Sequence, residues 1–92
     1  MQPTNFDIAD YLDNKEVIAE YLNTALEEGD SADLVEAMGN VAKAMGMTKI
    51  AHETGMSRTS LYKALTHDSN PQLETIQRVL KAIGGRLNIQ PL

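Results

Sequence analysis

The sequence predicts an all-α fold, and three observations lead to this prediction. Apolar residues recur three and four positions apart along most of the chain, which is the spacing of one buried face of an α-helix. Glycines and helix-capping residues separate these periodic segments. The chain has 92 residues, of which 42% are hydrophobic, and this length suits one modest core, so we expect a single domain over residues 1–92.

Residues 1–46 are predicted to form two long acidic helices after a short turn or helix that packs Phe6, Ile8 and Tyr11 onto the domain. The expected boundaries are Asn14 and Gly29 for the first helix, and Asp30 or Ser31 and Gly46 for the second. The expected inner faces are Val17, Ile18, Tyr21, Leu22, Ala25 and Leu26, then Leu34, Val35, Met38, Val41, Ala42 and Met45. Gly39 is either a tolerated helix glycine or the site of a close backbone approach.

Residues 47–65 have the pattern of a helix-turn-helix, two short helices joined by a sharp turn. Thr48 is expected to cap the first helix and Ser57 the second. Gly55 can adopt the positive φ that such a turn requires. Ala51 is small enough for the helices to cross closely. The residues expected to face inward are Ile50, Ala51, Thr54, Met56, Leu61, Ala64 and Leu65.

The outward face of the second helix in this pair carries side chains suited to DNA. At about 100° per residue, with Leu61 in the core, Thr59 and Lys63 point away from it. Ser60 and Tyr62 flank them, and Arg58 projects near the exposed N-terminal end. Hydroxyls can bond base edges or phosphates, arginine can pair with guanine, and lysine can neutralise phosphate. The alternative is a solvated helix face that does not bind DNA.

The end of the chain predicts a last helix within residues 70–84 and a short β-strand at residues 86–90. Pro71 favours a helix start, and Gly84 a helix end. The expected inner stripe of this helix is Leu73, Ile76, Val79, Leu80 and Ile83. A lone strand has no partner in a helical domain, so we expect it to pair with its twin in a homodimer. The expected dimer residues are Arg86, Leu87, Asn88 and Ile89.

Charge is distributed unevenly along the chain. Residues 1–41, the acidic half, hold ten acidic residues and one lysine, a net charge of −9. Residues 42–92, the basic half, hold seven basic and three acidic residues, a net charge of +4. This asymmetry suits phosphates at one end and a basic partner at the other, although solubility alone can also explain the acidic half. The candidate partner-binding residues are Glu16, Glu20, Glu27, Asp30 and Asp33.

Several functional classes find no support in the sequence. There is no cysteine, and neither His52 nor His67 has a second ligand at metal-binding spacing, so we expect no metal or cofactor. No catalytic constellation or phosphate-binding glycine loop is present, and we expect no enzymatic activity. No apolar run is long enough to span a membrane, and MQPTNFDIAD has no signal-peptide features. We therefore expect a cytoplasmic protein.

Longer segments resemble a known family. These segments are FDIADYL, ALEEGD at residues 25–30, VAKAMGMTKIAHETGMSRTSLYKAL, and NPQLETIQRVLKAIGGRLNI. From Thr48 onward the chain resembles the lambda-repressor/Cro-type (XRE) helix-turn-helix family, and as a whole it resembles addiction-module antidote (antitoxin) proteins. The resemblance implies a five-helix lambda repressor-like DNA-binding domain with a short C-terminal β-strand. It places DNA reading on Ser57, Arg58, Thr59, Ser60 and Lys63, and phosphate contacts on Thr48 and Lys49.

The resemblance also implies a function. The protein would be a sequence-specific DNA-binding antitoxin of a type II toxin–antitoxin module. It would neutralise a small basic toxin of the RelE/ParE-like superfamily and repress its own operon by binding double-stranded operator DNA as a homodimer. The alternative is a protein-interaction module, or a transcriptional regulator without a toxin partner. Binding to the DNA upstream of its own gene would separate a repressor from a pure interaction module.

Overall fold

The computed structural model describes residues 6–92, which form five α-helices preceded by one turn of 3-10 helix. The elements are the 3-10 turn Ile8–Tyr11, α1 Lys15–Glu28, α2 Ser31–Met45, α3 Met47–Thr54, α4 Arg58–Ala64 and α5 Leu73–Ile83. The all-α prediction is therefore confirmed for this part of the chain. The prediction that the N-terminus has no signal-peptide features falls partly on residues 1–5, which lie outside the described residues. Among the helices described, none combines the length and the apolar character needed to cross a membrane.

Side-chain caps begin both long helices. Asn14 Oδ1 accepts hydrogen bonds of 3.1 Å from the backbone N–H groups of Glu16 and Val17. Of the two candidates for α2, Asp30 is the cap. Its carboxylate accepts from the Asp33 N–H at 3.1 Å, and Asp33 accepts in return from the Asp30 N–H at 3.0 Å. This reciprocal capping box satisfies backbone donors at the start of α2 and fixes where the helix begins.

The turns around α3 confirm two of the three predicted roles. Gly55 has a φ of 73°, in the left-handed region, and Ser57 Oγ accepts the Ser60 N–H at 3.0 Å to cap α4. Thr48 does not cap α3, and that prediction is wrong. The chain turns at Gly46, whose φ is 113°, and α3 already begins at Met47 without a side-chain cap. Thr48 therefore lies inside the first turn of the helix.

The hydrophobic core is built around α2, which packs against α1, α3, α5 and the 3-10 turn. Its largest fully buried side chains are Ile18, Met38, Val41, Ile50, Leu61, Val79 and Ile83. Four side chains predicted to pack inward are exposed instead: Phe6 at 51%, Tyr11 at 39%, Leu26 at 43% and Leu73 at 61%. Phe6 and Tyr11 stack on each other, with ring centroids 5.3 Å apart, and lie outside the core. Leu73 is the first residue of α5, and the packing of that helix on the core begins one turn later, at Ile76. Leu26 lies beyond Ala25, where the packing of α1 on the core ends.

The predicted C-terminal β-strand is not present. Residues 85–92 follow α5 without regular structure, and residues 6–92 contain no β-strand. The physical reason is that a strand is stabilised by hydrogen bonds to a neighbouring strand, and the described part of a single chain provides none. The alternation of side chains was therefore not sufficient to define a strand.

Candidate functional site

One face of α4 presents a row of exposed side chains over a buried anchor. Leu61 is completely buried and holds the helix against the core. The residues predicted to contact DNA are all exposed: Ser57, Arg58, Thr59, Ser60, Tyr62 and Lys63 around α4, and Thr48 and Lys49 in the first turn of α3. The burial of Leu61 and the exposure of its neighbours follow from the helical period, so α4 offers one polar face to a partner.

Contacts along α4 fix some of these side chains in place. The Arg58 guanidinium carbon lies 5.7 Å from the centre of the Tyr62 ring, within the range of a cation–π contact. Ser57 Oγ lies 2.9 Å from Ser60 Oγ and also accepts the Ser60 N–H. Ser57 is therefore engaged in capping the helix. Within residues 6–92, the side chains of Thr59 and Lys63 form no hydrogen bond or ion pair, which leaves them available to a ligand.

The cations near α4 differ in their pairing from Arg78 of α5. Arg78 in α5 forms an ion pair with Glu74, with an Nη2–Oε2 distance of 3.0 Å. Lys49, Arg58 and Lys63 have no carboxylate partner in the part of the chain that the structure describes. Unpaired, exposed cations attract phosphate without first having to break an internal ion pair. The face of α4 therefore combines hydroxyl groups with positive charge that the chain itself does not neutralise.

The candidate partner-binding acids of the acidic half do not form a single cluster. Glu20 and Asp33 line an open groove between α1 and α2, whereas Glu16 and Glu27 are exposed on α1 outside its lining. Asp30 is exposed and is held in the capping box of α2. The same groove is lined by two acids that were not among the candidates, Glu28 and Glu36. No sequence signal singled them out, because the groove depends on how the two helices pack.

Asp33 also connects α2 to the loop between α4 and α5. His67 Nε2 lies 3.2 Å from Asp33 Oδ1. The hydrogen bond from the Asp30 N–H lowers the pKa of Asp33, the contact with His67 lowers it further, and desolvation opposes both. Asp30, Asp33 and His67 place one potential ligand atom each within 4.8 Å of one another, but the capping box already engages both carboxylates. We therefore assign this cluster to anchoring the loop after α4.

The segment predicted to form a dimer interface is open to solvent in the single chain. Arg86, Leu87, Asn88 and Ile89 are all exposed. The two apolar side chains among them are unusually accessible, with Leu87 at 43% and Ile89 at 94%.

The chain is similar to known proteins over nearly its whole length. Residues 2–91 match the family model described as "Probable addiction module antidote protein". An uncharacterized protein of Haemophilus influenzae is 38% identical over 89 residues, which cover 97% of this chain and 92% of that relative. No solved structure matches the chain significantly.

Proposed function

This chain belongs to the family of probable addiction module antidote proteins, and from that premise we propose that it is a DNA-binding antitoxin of a type II toxin–antitoxin module. An antidote implies a toxin, and we propose a small basic toxin of the RelE/ParE-like superfamily as the protein that it neutralises. The same chain would bind the operator of its own operon as a homodimer and repress it. This function is binding, without catalysis or a cofactor.

The observation that supports DNA binding is the exposed face of α4. Arg58, Thr59 and Lys63 lie on the outer side of a helix whose inner side is anchored by Leu61. Such a helix can enter the major groove, where arginine recognises guanine and short hydroxyls bond base edges or phosphates. Thr48 and Lys49, in the first turn of α3, would contact the phosphate backbone beside it.

A homodimer would place two copies of α4 on one face of the duplex. One copy contacts only a few base pairs, whereas half-sites about one helical turn apart, roughly 34 Å, suit a two-fold dimer. The exposed C-terminal segment around Leu87 and Ile89 is the proposed contact between the copies.

Two cell-based measurements test the two parts of the proposal. The protein encoded by the adjoining reading frame should arrest growth when it is expressed alone, and co-expression of this chain should restore growth. A reporter gene under the chain's own upstream region should be repressed by the wild-type chain and derepressed by Arg58→Ala. Failure of growth rescue would exclude the antitoxin role, and a reporter that does not respond would exclude autorepression.

The alternative is a protein-interaction module in which α3 and α4 serve only as scaffold. The concentration of acidic residues around α1 and α2 favours it, because that half of the chain suits a basic protein rather than DNA. Under this alternative, growth rescue would occur without any repression of the reporter. The two measurements together therefore separate the two functions.

A further inference from the structure

The groove between α1 and α2 combines an apolar floor with an acidic rim. It encloses about 610 Å³, and Val17, Ala25 and Ala37 contribute to its floor. A groove of this kind offers apolar contact in the centre and charge selection at the edges, which is the usual composition of a protein-binding surface.

Aromatic side chains are concentrated beside this groove. Phe6 stacks on Tyr11, with ring centroids 5.3 Å apart, and on Tyr21, with centroids 5.7 Å apart. These are three of the four aromatic residues in the chain. Phe6 is 51% exposed although it makes two stacking contacts, and Tyr21 is fixed by a 3.0 Å hydrogen bond from Asn40 Nδ2 to its hydroxyl. The contacts among Phe6, Tyr11 and Tyr21 hold the three rings in place, and about half of the Phe6 side chain remains accessible to a partner.

The charge of the groove has one sign. Its lining includes four carboxylates, Glu20, Glu28, Asp33 and Glu36, and no lysine or arginine. Carboxylates beside exposed aromatic rings form a favourable environment for guanidinium groups, which pair with the former and stack on the latter. Plain solubility would explain exposed acids, but it does not explain why the exposed ring of Phe6 lies among them.

We propose that this groove is the toxin-binding surface, and that its occupant is a basic amphipathic segment of the toxin. Arginine or lysine side chains of that segment would pair with the carboxylates of Glu20 and Glu36, and its apolar side would cover Phe6 and the alanine floor. The inference rests on the proposed antitoxin function and adds to it the surface and the chemistry of the contact. It also separates this surface from the face of α4, so one chain could bind toxin and DNA together.

The experiment compares two pairs of charge reversals that change the net charge equally. Glu20→Lys with Glu36→Lys changes the groove. Glu16→Lys with Glu27→Lys changes two acids of α1 that the sequence also suggested as partner contacts but that lie outside the lining of the groove, so this proposal gives them no contact with the toxin. Association and dissociation rates are measured against the purified protein encoded by the adjoining reading frame. Because long-range attraction depends on total charge, both pairs should slow association at low salt. Only the groove pair should also accelerate dissociation, by about tenfold or more.

A second comparison tests the aromatic floor without changing charge. Phe6→Ser should accelerate toxin dissociation by about tenfold, since exposed aromatic residues in an interface are frequent hot spots. Leu73→Ser, which removes another exposed apolar side chain outside the groove, should leave the rates unchanged. Both substitutions replace largely exposed side chains, and circular dichroism should verify that the variants keep the helical content of the wild type.

The possible outcomes separate the two proposals. If the wild-type chain binds this protein but both groove variants dissociate at the wild-type rate, the groove is not the contact and the antitoxin function stands. If the groove variants instead lose self-association, the occupant is a second copy of this chain and the inference is overturned. If the wild-type chain does not bind this protein at all, the proposed toxin partner and this inference both fail.

Discussion

Gly39 in α2 lies against the backbone carbonyl of Leu65, at the end of α4. A Cβ built on Gly39 would lie 2.7 Å from the Leu65 oxygen and 3.3 Å from the Leu65 Cβ. Of the two interpretations of this glycine, close approach of another backbone is therefore the correct one. The absence of a side chain lets the C-terminal end of α4 sit directly on α2. This contact positions the helix that we propose enters DNA.

Gly39→Ala should destabilise the fold although alanine favours helices. The gain in helix propensity is about 0.5–1 kcal/mol, whereas forcing a methyl group against a fixed backbone costs about 1–3 kcal/mol. We expect a net loss of about 1 kcal/mol, and at most roughly 2.5 kcal/mol, in the free energy of unfolding, measured by urea denaturation. The control is Gly85→Ala, whose added Cβ would lie 3.8 Å from the nearest atom outside its neighbours. Equal stability of the two variants would show that the end of α4 can shift at little cost.

The stability of the protein should depend on pH through Asp33. Folding lowers the pKa of Asp33, first through the hydrogen bond from the Asp30 N–H and then through His67. The stabilisation is therefore present above the unfolded-state pKa, about 4, and is lost as pH falls through the lower folded-state value. The stability difference between the wild type and Asp33→Asn should accordingly be constant above about pH 5 and shrink as the pH falls below it, through the folded-state pKa.

His67→Ala is the informative comparison for the pH effect. It removes the contact with His67 and keeps the backbone hydrogen bond from Asp30, which is the largest single cause of the lowered pKa of Asp33, so acid dependence should remain. Urea denaturation of the three proteins at each pH measures the effect. If His67→Ala abolished the dependence as completely as Asp33→Asn does, the histidine rather than the capping box would control this carboxylate.

The local features of the fold could be predicted from the sequence, whereas the long-range ones could not. Asn14, Gly55 and Ser57 act within a few residues of their own position, and their predicted roles are confirmed. The contact between Asp33 and His67 joins residues 34 positions apart, and no spacing rule indicates it. The prediction of a strand at residues 86–90 is wrong for the single chain, because a strand needs a neighbouring strand to pair with and residues 6–92 provide none.

The C-terminal segment should control the oligomeric state. Deleting residues 86–92 keeps the hydrogen bond from the Gly85 N–H to the Leu80 carbonyl, which closes α5, and should give a folded monomer. Ile89→Ser, at a side chain that is 94% exposed in the single chain, should weaken the dimer, whereas Leu73→Ser should not. Sedimentation velocity measures the change. A truncated chain that still sediments as a dimer would move the interface elsewhere.

Arg58 and Lys63 should contribute to DNA binding in different ways. Arg58→Ala should cost about 1–3 kcal/mol at the cognate site and relax specificity at one base pair. Lys63→Ala should weaken binding to all sequences and reduce the salt dependence by about one unit of slope. Lys43→Ala removes an exposed cation of α2 and serves as the control for charge alone. Titrations of labelled DNA at several salt concentrations distinguish the three variants, and variants that all bind like the wild type would show that α4 does not contact DNA.

The most direct test of the DNA-binding antitoxin is a mobility-shift titration of the wild-type chain with the DNA immediately upstream of its own gene. A scrambled duplex of the same length and composition is titrated in parallel, at the same salt concentration. We expect the upstream DNA to bind roughly 10³-fold more tightly or better, as specific recognition requires. Equal affinity for the two duplexes, or no shift with either, would contradict the proposal that this antidote-family chain represses its own operon.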